Sequence, residues 1–193
     1  MTILLIRHTS VIVPPGLCYG QTDVPLSPSF EDEAASVRNS LPPGPWAVWS
    51  SPSTRCLRLA KTLATDVQID ERLRELDFGV WDGRPWSELP RDVTDLWLAD
   101  FLNSRPPDGE TFAELATRAE AFLCDISHVP MQGTAVVVTH AGVIRALLAR
   151  AAGTLLHEAF SIPVAFGSTH TLRLPPTPLD DFASVRLPRS IFP

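Results

Sequence analysis

Apolar positions along the chain fall into two alternating patterns. Residues 2–6 form an apolar run of strand length. Between residues 30 and 41, Phe30, Ala34, Val37 and Leu41 share one helical face, and Pro42-Pro43-Gly44 stops the helix. Residues 47–49 predict a second short strand. Ser50 to Ser53 then supply N-cap candidates for a helix in which Cys56, Leu59, Ala60 and Leu63 lie on one side. Residues 67–69 read as a third strand. Residues 112–126 predict an amphipathic helix with Phe112, Leu115, Ala116, Ala119, Phe122, Leu123 and Ile126 turned inward. Capping residues stand in its entry, Asp108-Gly109-Glu110-Thr111. Residues 134–139 (TAVVVT), apolar and β-branched, predict a central strand. A helix over 142–152 closes at Gly153, and 169–174 give a last strand.

Strands alternating with helices imply an α/β fold, a three-layer αβα sandwich around a mostly parallel sheet. Residues 17–28, with Gly20, Pro25 and Pro28, read as an ordered loop. Residues 77–108, rich in Trp, Pro, Gly and Asp, are the hardest part to assign.

The length, 193 residues, suits one domain over 1–193 with a Pro-rich tail from about residue 175. A hydrophobic share of 45% with 20% charged residues fits a folded chain and not a disordered one. No apolar run approaches the ~18 residues that span a bilayer. The opening MTILLIRHTS lacks the basic start and cleavage site of a signal peptide. A net charge of −6 argues against nucleic-acid partners, and no basic cluster suggests a membrane surface. Cys18, Cys56 and Cys124 are odd in number and lack metal spacing, so a reduced, cytoplasmic chain is the simplest expectation.

Three predicted strands end in polar groups that their apolar bodies do not explain. The first ends in Arg7-His8-Thr9. The second ends in Ser50-Ser51 and feeds a helix whose first turn carries Arg55. The TAVVVT strand ends in His140 and leads through Ala141-Gly142 into the next helix. Ligands of open parallel sheets bind at the carboxyl ends of the strands, so neighbouring strands here bring two His and two Arg to one crevice. Guanidinium forks match phosphate and carboxylate oxygens, and helix N-termini add backbone donors. A histidine among such cations is a poor metal ligand but, held uncharged, a good nucleophile for phosphorus. Taken singly, each has a plainer reading: a hydrogen-bonded strand-end His, a solvated Arg.

These residues stand in blocks that resemble a known family. Residues 4–9 (LLIRHT) are similar to the Arg-His signature of the histidine phosphatase superfamily, which includes the cofactor-dependent phosphoglycerate mutases. Residues 20–28 (GQTDVPLSP), 50–63 (SSPSTRCLRLAKTL), 72–83 (RLRELDFGVWDG) and 136–145 (VVVTHAGVIR) resemble its later blocks, in family order. The resemblance implies a phosphoglycerate mutase-like fold and a phosphomonoesterase that needs no metal or other cofactor. It implies His8 as the nucleophile taking the phosphoryl group, and Arg7, Arg55 and a charged His140 as ligands of the phosphate oxygens. Glu75 is implied as the acid that protonates the leaving alcohol and the base that activates water. The partner is then a small phosphate ester, and the sequence carries no reading of oligomeric state.

The resemblance also has departures. The family's first block often continues Gly-Glu-Thr with an Asn soon after. Here Thr9-Ser10 follow His8, and Pro14 stands where the Asn falls. Thr9, Gln21 and Thr22 are candidates for the missing phosphate contact. Residues 13–26 (VPPGLCYGQTDVPL) are most similar to the family's α-ribazole phosphatase branch, which implies α-ribazole 5′-phosphate as substrate. A broad small-molecule phosphatase, a phosphoglycerate mutase and a catalytically silent phosphate-binding protein are the alternatives. The chain is short for a mutase. Trp81 and Trp86 flank Asp82-Gly83 and read mainly as core, with stacking on a flat leaving group as the second reading. His170, beside Ser168, is a candidate for the pocket rim, and His128 for a solvent-facing position.

Overall fold

The computed structural model describes residues 1–131 and 133–174. β1 (Thr2–Arg7) leads through a long loop to α1 (Phe30–Ser40), then β2 (Trp46–Ser50), α2 (Thr54–Leu63) and β3 (Val67–Ile69). α3 (Arg91–Ala99), α4 (Phe112–Ser127), β4 (Thr134–Thr139), α5 (Ala141–Ala152) and β5 (Thr169–Arg173) follow. The sheet order is β3-β2-β4-β1-β5, so the TAVVVT strand lies at the centre, as its composition predicts. β1, β2, β3 and β4 run parallel, and β5 pairs antiparallel with β1 at the edge.

The two-residue period of β4 divides the core between the faces of the sheet. Ala135 and Val137 pack with Leu115, Phe122, Ile144 and Leu147 of α4 and α5. Val136 and Val138 pack with Phe30, Val37, Leu59 and Leu63 of α1 and α2. The three-layer αβα architecture follows. α4 begins in a capping box: Thr111 Oγ1 accepts from Glu114 N–H at 3.1 Å, and Glu114 Oε2 accepts from Thr111 N–H at 2.8 Å. α5 ends at Gly153, which takes φ 66° in the left-handed region.

Residues 77–108 form 3-10 turns at Gly79–Trp81 and Trp86–Glu88, followed by α3. Their order comes from aromatic packing: the rings of Phe78 and Trp81 each lie 5.8 Å from that of Trp97, and Trp86 stacks on Trp97 at 5.9 Å. Aromatic contacts between the separate turns and α3 leave little local pattern, which is why the segment is hard to assign from sequence. Among the described residues no helix is long and apolar enough to cross a membrane. The Pro-rich tail lies outside the described residues.

Candidate active site

Strand register builds the first half of the site. Arg7 at the end of β1 pairs with Thr139 at the end of β4, and His8 N–H donates to the Thr139 carbonyl at 3.1 Å. The next residues of the two strands, His8 and His140, therefore sit side by side, ring centroids 5.3 Å apart and edge-on. Ser51, beyond β2, donates its N–H to the Val138 carbonyl at 3.0 Å and joins them.

His8 is buried, and its Nδ1 lies 2.7 Å from the carbonyl of Thr9. A carbonyl only accepts, so Nδ1 carries the proton and the lone pair of the neutral ring is on Nε2. Burial, then the Arg55 charge, with a smaller push from Arg7, lowers the His8 pKa from 6.5 to about 3, against the Thr9 hydrogen bond.

Two cations come from α2 and β1. Arg55, in the first turn of α2, is 1% exposed and donates Nη1 to the Thr22 carbonyl at 2.9 Å and Nη2 to the Gly20 carbonyl. That loop is itself held at both ends. The Asp82 carboxylate accepts from the N–H groups of Gly20, Gln21 and Thr22 at 3.1, 2.7 and 3.2 Å. Asp23 accepts from Thr54 N–H at 3.0 Å and Thr54 Oγ1 at 2.7 Å. Asp23 thus caps α2, whereas Ser53 stands at the N-cap position without a side-chain cap bond. Arg7 donates Nη1 to the Val164 carbonyl at 2.6 Å and stacks over Phe166 at 3.7 Å. Burial lowers its pKa. The Nε atoms of Arg7 and Arg55 are buried without a partner among the described residues, an unmet demand that an anionic oxygen satisfies.

Glu75 faces these groups from the segment before residue 77. Its Oε2 accepts from Gly142 N–H at 3.2 Å, in the first turn of α5, and its Oε1 accepts from Leu76 N–H at 3.0 Å. The approach is so close that a Cβ on Gly142 meets Oε1 at 2.3 Å. The resulting cavity, about 270 Å³, has Arg7, His8, Arg55, Glu75 and Arg145 on its polar side. Tyr19, Leu76, Phe78, Trp86, Phe112 and Phe160 form its apolar wall.

Of the sequence candidates, Arg7, His8, Arg55 and Glu75 meet at this cavity. His140 stands behind it, fully buried, with Nε2 2.9 Å from Ser51 Oγ. The expectation of a charged His140 meets an opposing influence here: burial first, and then Arg55, hold its pKa well below the ordinary value. Thr9, Gln21 and Thr22 are not on the cavity wall. Thr9 contributes its carbonyl to His8. Gln21 Nε2 donates to the Glu75 carbonyl at 3.4 Å, and the Thr22 carbonyl receives Arg55, so both support groups that line the cavity. Trp81 is core and Trp86 is wall. His170 bonds Ser168 Oγ at 2.9 Å away from the wall, and His128 is exposed.

Sequence reasoning missed Arg145, Tyr19 and Phe160. For Arg145 a signal existed: it lies three residues after Gly142 on a predicted helix, hence on the same face. Its Nε donates to the Ile162 carbonyl at 3.0 Å and its guanidinium lies 5.5 Å from the Phe160 ring.

A neutral imidazole, buried guanidinium groups and a carboxylate at the strand exits of an αβα sandwich define an enzyme of phosphate-ester chemistry. The chain belongs to the histidine phosphatase superfamily (branch 1), whose family model matches residues 3–177. It is a phosphoric monoester hydrolase. It is 30% identical over 169 residues to a putative phosphoserine phosphatase 2 of Hydrogenobacter thermophilus, covering 83% of each chain. It is 28% identical over 162 residues to the adenosylcobalamin/α-ribazole phosphatase of Escherichia coli, covering 79% of this chain and 80% of that one. A solved structure of a putative α-ribazole-5′-P phosphatase from Escherichia coli superposes with a TM-score of 0.80 at 26% identity, covering 89% of each chain.

Proposed function

We propose that this enzyme hydrolyses α-ribazole 5′-phosphate, or a close small phosphate monoester, through a phosphohistidine on His8. The observation that carries the reading is the Nδ1–H of His8 on the Thr9 carbonyl, which aims the Nε2 lone pair away from the backbone. Nε2 attacks phosphorus while the bond to the leaving oxygen breaks, and a protonated Glu75 gives that oxygen its proton. Glu75, now a carboxylate, takes a proton from water as the water attacks phosphorus. The P–N bond breaks, its electron pair returns to Nε2, and phosphate leaves. Arg7 and Arg55 hold the phosphate oxygens and balance the charge of the transferring group. His140 supports the His8 ring from behind.

The α-ribazole reading is supported by the aromatic wall, on which a flat apolar base stacks, and by the similarity to the Escherichia coli α-ribazole phosphatase. A second reading, an ester whose alcohol carries a carboxylate, such as phosphoserine, is favoured by Arg145. That residue lines the cavity and forms no ion pair among the described residues. Phosphate release from α-ribazole 5′-phosphate, phosphoserine and p-nitrophenyl phosphate ranks the two by kcat/KM. His8→Ala is expected to abolish release from all three with the fold intact, and full activity in that variant overturns the mechanism.

A further inference from the structure

We infer that the Glu110–Arg118 ion pair is a positioning device for Glu75, an inference that rests on Glu75 being the acid and base of the reaction. Residues 74–78, which carry Glu75, belong to no helix or strand. Scattered bonds hold their backbone instead of a ladder, and one ion pair reaches both the Glu75 carbonyl and the Asp77 N–H. Arg118, on α4, binds Glu110 in a fork: Nε to Oε2 at 3.0 Å and Nη2 to Oε1 at 2.6 Å. The same guanidinium donates Nη1 to the Arg72 carbonyl at 2.5 Å and Nη2 to the Glu75 carbonyl at 3.1 Å. Glu110 Oε1 accepts from Asp77 N–H at 3.0 Å, and Glu110 N–H donates to the Asp77 carbonyl at 3.0 Å. The pair therefore grips the chain on both sides of Glu75 and at Glu75 itself.

The pair is also sheltered. Its side chains are 21% and 17% exposed, against 56% and 47% for the neighbouring Arg105–Glu114 pair. A surface pair of the second kind contributes little, whereas a sheltered fork holds its geometry. None of its hydrogen bonds reaches His8, Arg7 or Arg55. Loosening the pair acts first on the segment that carries Glu75, and the bonds that hold His8 and Arg55 stay in place.

That selectivity makes the role measurable. An alkyl alkoxide needs the proton of Glu75 to leave, while p-nitrophenolate leaves without it, and kcat/KM covers only the steps up to alcohol release. In Arg118→Met and Glu110→Gln, kcat/KM for glycerol 2-phosphate is expected to fall about 100-fold, with that for p-nitrophenyl phosphate within about threefold. kcat for p-nitrophenyl phosphate falls as well, because water attack needs the same carboxylate, and phosphohistidine accumulates in quenched samples. Circular dichroism at the assay temperature verifies folding. Glu110→Gln, which keeps shape and one acceptor, decides the matter should Arg118→Met melt. Equal losses on both esters, or none, overturn the inference when a parallel Glu75→Gln variant shows the split. Absence of the split in Glu75→Gln overturns the role of Glu75 and the inference with it.

Discussion

Replacing Gly142 by Ala tests the site geometry with one methyl group. The new Cβ meets Glu75 Oε1 at 2.3 Å and Cδ at 3.3 Å, with Leu115 Cδ1 at 3.5 Å behind. Ordinary contact lies near 3.4 Å, so the carboxylate retreats by about 1 Å while the Gly142 N–H remains in place. A displacement of ~1 Å in a reacting group costs on the order of 100-fold in rate, or about 2.7 kcal/mol of barrier. Stability moves less. Ala in a helix gains up to about 1 kcal/mol over Gly, and the added methyl costs about 1–3 kcal/mol through crowding. The net loss stays within about 2 kcal/mol, or a fall in Tm of roughly 8 °C at most for a chain of this size. The assay is kcat on an alkyl monophosphate, paired with a thermal melt. Activity within about threefold of the parent refutes the reasoning, and so does a loss matched by collapse of the melt.

Two other predictions follow from the same contacts. Asp82→Asn weakens three backbone hydrogen bonds that shape the loop receiving Arg55, so KM for p-nitrophenyl phosphate is expected to rise about tenfold, with an unchanged KM overturning that role. Between pH 6.5 and about 3 the unfolded chain binds a proton at His8 that the folded chain refuses, and His140 acts in the same direction. The unfolded state then holds more protons, so stability falls as pH drops through this window, by up to about 1.4 kcal/mol per pH unit from His8. Urea unfolding at pH 7 and pH 5.5 measures it, and His8→Gln is expected to flatten the slope; an unchanged slope removes His8 as its source.

How much of this was legible beforehand depends on what fixes each group. The central strand, the two helices that pack on it and the exits at His8 and His140 are local patterns, and register between adjacent parallel strands does the rest. His8 even finds its tautomer locally, on the carbonyl of the following residue. The crevice could therefore be reasoned from strand ends alone. The environment of His140 could not, because its lowered pKa comes from complete burial and from Arg55, a tertiary fact. Thr9, Gln21 and Thr22 were placed near the phosphate by their neighbourhood in sequence, yet their bonds go to His8, Glu75 and Arg55.

The site thus has two halves built on different principles. Backbone ladders place His8 and Arg7 at the ends of buried strands, where a shift of register would turn every core side chain to the wrong face. Charged side chains place the rest: Asp82 shapes the loop that receives Arg55, and the Glu110–Arg118 fork grips the segment bearing Glu75. A ladder-built half tolerates little movement, since moving it disrupts the core. A half strung on side chains shifts at the cost of a few hydrogen bonds. Variation in the Asp82 loop or the Glu110 fork is therefore expected to retune proton delivery and phosphate affinity separately, while His8 and its strand stay as they are.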